Sequence, residues 1–196
     1  MKRHTNLFYR VLVSSWALSS FAEGVLLPVY AVFVQHIGGD ILDAGGAMGA
    51  FLITEGLFTM LVHRTKWSPR MRIVLMVLGW AIWFLGIIFY LFISNVATLF
   101  MAQVLLAIGC AVADPVFDEE LADHTDKGLK EYEWGLWEGS KSFIDGVAAV
   151  LGAFVVATFG FKVLIYMMII TATASFAMII WYVIRLRRMP VVFSHS

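Results

Sequence analysis

A few carboxylates and one lysine set within apolar sequence are the residues with chemistry to offer. Glu23 lies near the middle of an apolar run long enough to cross a bilayer, on one helical face with Trp16, Ser20, Leu27 and Tyr30. A charged carboxylate at that depth is disfavoured by several kcal/mol, so such a residue marks a proton or substrate site more often than a structural hydrogen bond. Gln103, Ala107, Cys110, Asp114 and Asp118 form a second stripe at helical spacing, and Pro115 loosens the backbone beside Asp114. A third puts Trp134, Glu138, Lys141, Asp145 and Gly152 on one face. Lys141 then stands one turn from each of two carboxylates, an expected ion network that can serve structure or function equally well. Glu119, Glu120 and Asp123 read as a solvated helix end, although acidic groups are not the favoured sign at a helix C-terminus.

The elements that must position these groups are membrane spans. The chain has 14 Lys+Arg against 14 Asp+Glu, 61% hydrophobic residues and only 14% charged, with a mean hydropathy of +0.85. That leaves too little polar surface to coat a water-soluble globule. Apolar runs near 11–34, 44–62, 71–93, 96–121, 133–158 and 161–184 make six expected spans, numbered 1 to 6 below, in one all-α bundle covering residues 1–196. Lys2, Arg3 and Arg10 precede span 1; Arg64, Lys66, Arg70 and Arg72 lie between spans 2 and 3; Lys127 and Lys130 lie between 4 and 5; Arg185, Arg187 and Arg188 follow span 6. Only Lys162 falls on the other side, so both termini are expected to be cytoplasmic. A secretory leader ending at Ser20-Phe21-Ala22 would leave an odd number of spans and break this charge pattern.

Spans 3 and 6 hold no ionisable side chain in their cores and suit a lipid-facing outer position; spans 1, 2, 4 and 5 should line something. Span 2 carries Gly45, Gly49, Gly56 and Thr59 on one stripe, a surface that lets another backbone approach closely. Glu55 projects about 80° off that stripe, so the pattern alone does not join it to Glu23. Trp16, Tyr30, Trp134 and Trp137 offer an aromatic lining beside the acidic groups, suited to a cationic or amphipathic solute, although aromatics near helix ends more often anchor at the interface.

Enzyme signatures fail on spacing. Gly139-Ser140-Lys141-Ser142 lacks the order and upstream glycine of a phosphate loop, and there is no Gly-x-Ser-x-Gly or His-Glu-x-x-His. Asp114 and Asp145 lack the flanking residues of intramembrane aspartyl proteases. His4, His36, His63, His124 and His195 are scattered and Cys110 is the single cysteine, so no metal site or cofactor is expected. No concentrated Lys/Arg face points to nucleic acid.

With its inside termini, basic loop between spans 2 and 3, and polar faces on spans 1, 4 and 5, the chain resembles the six-helix N-terminal half of a major facilitator superfamily transporter. The family's signature between spans 2 and 3, Gly-x-x-x-Asp-Arg-x-Gly-x-Arg-Arg, corresponds to Thr59 through Arg64 and the basic run to Arg72. Arg64 matches, His63 replaces the Asp, and the glycines are lost. In span 4 Gly109 matches the signature Arg-x-x-x-Gly-x-Gly, with Gln103 and Ala107 replacing its Arg and first Gly. The Gly-Pro pattern of antiporters is absent from span 5. The resemblance implies a secondary transporter of a small organic solute, with Glu23 as candidate proton-coupling residue, in a membrane such as a bacterial inner membrane. It further implies that two copies form a homodimer through Gly45, Gly49 and Gly56 to rebuild the family's two parallel halves. A non-transporting scaffold or assembly subunit with the same fold is the alternative.

Overall fold

The structure, a computed structural model, describes residues 7–123 and 130–187. Lys2, Arg3, His4, His124, Lys127, Arg188 and His195, and the side chains of His63, Lys130 and Arg187, lie outside the described residues. Six helices long and apolar enough to cross a membrane are present, and no strand occurs among the described residues. Spans 2 to 6 are single helices over Ile41–His63, Pro69–Phe89, Val96–Asp123, Lys130–Phe159 and Phe161–Arg187. Span 1 is broken: Leu7–Gly24 and Tyr30–His36 are joined by a tighter turn at Leu27–Val29 that contains Pro28. Span 4 runs through Pro115 without a break, so the proline there costs at most a local hydrogen bond.

Local sequence accounts for the turns. Gly38 takes φ +88°, a conformation that glycine adopts freely, and ends span 1. Asp40 then caps span 2: its Oδ1 accepts from the backbone N–H of Leu42 at 2.8 Å and of Asp43 at 2.9 Å, while Asp43 Oδ2 accepts from the Asp40 N–H at 2.9 Å. Ser68 caps span 3, with Pro69 in the first turn where no N–H is needed. Asn95 starts span 4 by accepting from the Thr98 N–H at 3.0 Å. Gly160, at φ +79°, makes the sharp link from span 5 to span 6.

Glycines set the closest approaches. A Cβ at Gly152 would lie 1.8 Å from the carbonyl oxygen of Val25, which locks span 5 against the break in span 1. Spans 3 and 4 meet in the same way: a Cβ at Gly109 would lie 2.5 Å from the Trp83 nitrogen, and one at Gly79 would lie 2.6 Å from that of Ala113. Around these contacts span 1 packs on 5 and 6, span 2 on 4, and span 3 on 4 and 6. Spans 2 and 5 stand at the margins, where 6% and 11% of their apolar windows are buried against 50% for span 4.

Two expectations need correction. The acidic end of span 4 is no mere solvated cap: Arg72 Nη1 bonds Glu119 Oε2 at 2.8 Å, and Tyr182 donates at 2.5 Å to Glu120, which is buried. Spans 3 and 6 supply the partners, Arg72 and Tyr182, that pair these carboxylates. Nor does span 3 serve only as an outer helix, because it turns Trp80 and Trp83 inward.

Candidate functional site

Glu23 occupies the turn just before span 1 breaks, half-buried, and accepts a hydrogen bond from Trp83 Nε1 of span 3. Two cavities adjoin it. One, of about 250 Å³, is lined by Trp16, Ser19, Ser20, Glu23, Trp80, Trp83, Cys110, Ala113, Asp114 and Lys141. The other, of about 170 Å³, is lined by Glu23, Leu27, Tyr30, Met48, Phe51, Tyr90 and Gln103. Glu23 is the residue they share. In every contributing span that runs past Glu23, the two sets lie at opposite depths: Trp16 and Ser20 against Tyr30 in span 1, Trp80 and Trp83 against Tyr90 in span 3, Asp114 against Gln103 in span 4. The carboxyl therefore divides two chambers, named inner for the one toward the basic loops and outer for the one toward the opposite ends of the helices.

The outer chamber is ordered by Gln103, whose Nε2 donates to Tyr30 Oη at 2.8 Å and to Tyr90 Oη at 3.2 Å. This satisfies a buried amide with two phenols and fixes both rings along the chamber wall. In the inner chamber Ser20 Oγ donates at 2.5 Å to Asp145 Oδ1, tying spans 1 and 5 together one turn before Glu23. Asp114 stands on the opposite wall, exposed to the open face of the bundle. Charge is unbalanced here: Glu55 and Asp145 both act electrostatically on Glu23, and Glu23, Glu55 and Asp118 act on Asp114, with Lys141 as the opposing cation.

Lys141 sits differently from its expected network. Its Nζ lies 3.5 Å from Glu138 Oε1, an exposed partner outside the cavity lining, whereas Asp145 is bonded to Ser20 instead. The ammonium also lies 5.5 Å from the ring centroid of Trp16 and 5.8 Å from that of Trp137, two rings in edge contact at 4.5 Å. Of the other expected lining residues, Trp137 is buried behind Trp16, and Trp134 is exposed at the end of span 5. Gly45, Gly49 and Gly56 have nothing within 4 Å of a Cβ position, so the bundle itself makes no use of that stripe. Arg64 is exposed at the end of span 2 beside His63.

Sequence reasoning did not reach Trp83, Trp80 or Tyr90, and it named Glu55 without joining it to Glu23. Those three are aromatics in uniformly apolar helix, where nothing in the spacing separates a cavity wall from a lipid-facing ring. No group of three or more metal-ligating side chains occurs among the described residues.

A bundle of six spans with polar side chains gathered on one face, and with its two marginal helices largely uncovered, has the architecture of one half of a two-half membrane transporter. The chain belongs to the major facilitator superfamily, whose family model matches residues 12–194. It is also 25% identical over 146 residues, 74% of this chain and 88% of the other, to the uncharacterized MFS-type transporter YitZ of Bacillus subtilis (strain 168).

Proposed function

We propose that the chain is a half-transporter that moves a small organic solute by alternating access as a homodimer, with protonation of Glu23 as the coupling step. The observation that carries this reading is the position of Glu23 as the shared wall of two chambers at opposite depths. A titratable group reached from either side can bind a proton from one and release it to the other, and a neutral carboxyl crosses the low-dielectric midplane more cheaply than a charged one. Access then has to alternate, since a group open to both sides at once would leak protons.

The second copy is supported by the exposed polar groups. Asp114 and Asp145 lie within spans yet are open on the face of the six-helix unit, a costly state against lipid. A two-fold axis along the membrane normal sets that face against its twin and encloses both sets of chambers. The basic loops argue for cytoplasmic termini, and a bacterial plasma membrane fits the likeness to the Bacillus subtilis protein. The test is solute-induced proton movement in proteoliposomes containing the purified protein. Proton flux that follows a solute gradient is the expected result; none across a broad panel of organic solutes would overturn the reading.

A further inference from the structure

Lys141 is seated as a ligand would be. Its ammonium lies over both Trp16 and Trp137, at 5.5 and 5.8 Å from the ring centroids, and Lys141 and Trp16 both line the inner chamber. Trp137 is buried and backed by Phe117, with ring centroids 5.9 Å apart, and it meets Trp16 edge-on at 4.5 Å, so the two indoles form an aromatic corner. Across the chamber stand Glu23 and Asp114, and Asp145 lies one helical turn along span 5. An aromatic corner facing carboxylates is the chemistry that holds a poorly hydrated organic cation. The only ion pair of Lys141 among the described residues is with Glu138 at 3.5 Å, and both side chains are well exposed, 36% and 53%. The lysine is thus weakly tied where it sits.

We infer that the inner chamber is a binding site for an organic ammonium, and that Lys141 is a tethered competitor which occupies the aromatic corner until the solute displaces it. This rests on the transport reading and names its substrate class. Displacement has somewhere to go: the four-carbon stem of Lys141 reaches one turn along the helix, where Asp145 offers a carboxylate. Because the competitor carries the same charge as the solute, exchange keeps the chamber's charge nearly constant while it is occupied and empty. Neutral solutes of the same shape gain the apolar contact but cannot replace the ammonium beside the carboxylates.

Trimethylphenylammonium and its neutral isostere tert-butylbenzene distinguish these cases, with binding followed calorimetrically on the detergent-purified protein. Removing the competitor in Lys141→Met should tighten the cation by about tenfold, equivalent to about 1.4 kcal/mol, and leave tert-butylbenzene nearly unchanged. Lys141→Arg retains a competing cation that stacks on indole and should bind no tighter than the unsubstituted protein. Trp16→Leu should weaken the cation by about tenfold. Equal or weaker cation binding in Lys141→Met, or an equal gain for tert-butylbenzene, would overturn the inference. So would failure of the unsubstituted protein and all variants to bind the cation. Solute-linked proton movement without cation binding would overturn the inference alone. Cation binding with the expected pattern but no proton movement would support this site and overturn the transport reading alone.

Discussion

At the scale of single residues the site depends on which groups can titrate and which merely hold others. Glu23→Gln keeps an amide oxygen that can accept from Trp83 Nε1, so the protein should fold and lose only what requires a proton. Its uptake should no longer be linked to proton movement, and unchanged pH dependence of uptake in that variant would remove Glu23 from the coupling step. Trp83→Phe is the complementary change, since it keeps an aromatic ring and removes the donor. It should lower unfolding stability by about 1–3 kcal/mol while retaining solute-linked proton movement. The lysine of span 5 behaves otherwise. Because its pair with Glu138 is exposed, Lys141→Met should cost less than about 1 kcal/mol. Because Asp145 is bonded to Ser20, the losses from Lys141→Met and Asp145→Asn should add in the double variant; a recovery there, measured by thermal unfolding in detergent, would restore the ion network that spacing alone suggests. Glu23 was legible because a lone carboxylate in a long apolar run is too costly to persist there by chance. Glu55 was not, and the reason is geometric. Its offset from Gly45, Gly49 and Gly56 was measurable, but those glycines face open space, and being off their stripe is what brings Glu55 within electrostatic reach of Glu23.

At the scale of elements, the spans were readable from length and hydropathy to within a few residues, whereas their ends are set by the local turn chemistry of Gly38, Asp40, Ser68 and Gly160, which hydropathy does not register. The break in span 1 was less accessible. Pro28 is a local signal for it, since it lacks an N–H and its ring crowds the carbonyl of Gly24 one turn back, where the first helix ends, but the packing of Gly152 against Val25 at that point comes from a helix distant in the chain. That crossing positions Glu23, which lies two residues before Val25, and it leaves no space for a side chain. Gly152→Ala should therefore force spans 1 and 5 apart and cost more than about 1–3 kcal/mol, the range for ordinary overpacking, since the obstructing atom is backbone rather than a flexible side chain. Lower thermal stability together with loss of transport is the expected pair of observations. A variant with unfolding temperature and activity like the unsubstituted protein would show that the close approach is relieved without consequence. The acidic end of span 4 illustrates the opposite limit of sequence reading. A run of carboxylates has the same pattern whether it meets water or meets Arg72 and Tyr182, and the partners come from helices distant in the chain.

At the scale of the whole molecule, two glycine-bearing helices are left with free surfaces. Gly45, Gly49 and Gly56 of span 2 have no neighbour within 4 Å of a Cβ, and the same holds for Gly135, Gly139 and Gly146 of span 5. Spans 2 and 5 run in opposite directions and pack on different neighbours, span 2 on span 4 and span 5 on spans 1 and 6, so in the proposed dimer a two-fold axis would bring span 2 of one copy against span 5 of the other at both edges. Small residues on both partners let the backbones come close, which is what drives helix association where apolar burial contributes nothing against lipid. This predicts a separation of effects that an internal packing role would not produce. Gly49→Leu and Gly56→Leu should leave the six-helix unit folded, because each side chain enters open space within that unit, yet they should split the dimer and stop transport together. A head-to-tail fusion of two chains through a linker on the cytoplasmic side should remain active, since both termini are expected there. The fusion should also rescue the leucine variants in part, because tethering raises the effective concentration of the partner to the millimolar range. Detergent-corrected mass alongside proton flux decides the matter: an active monomer, or an inactive but well-folded fusion whose linker spans the distance, would sink the homodimer and leave the open face to a partner of different sequence.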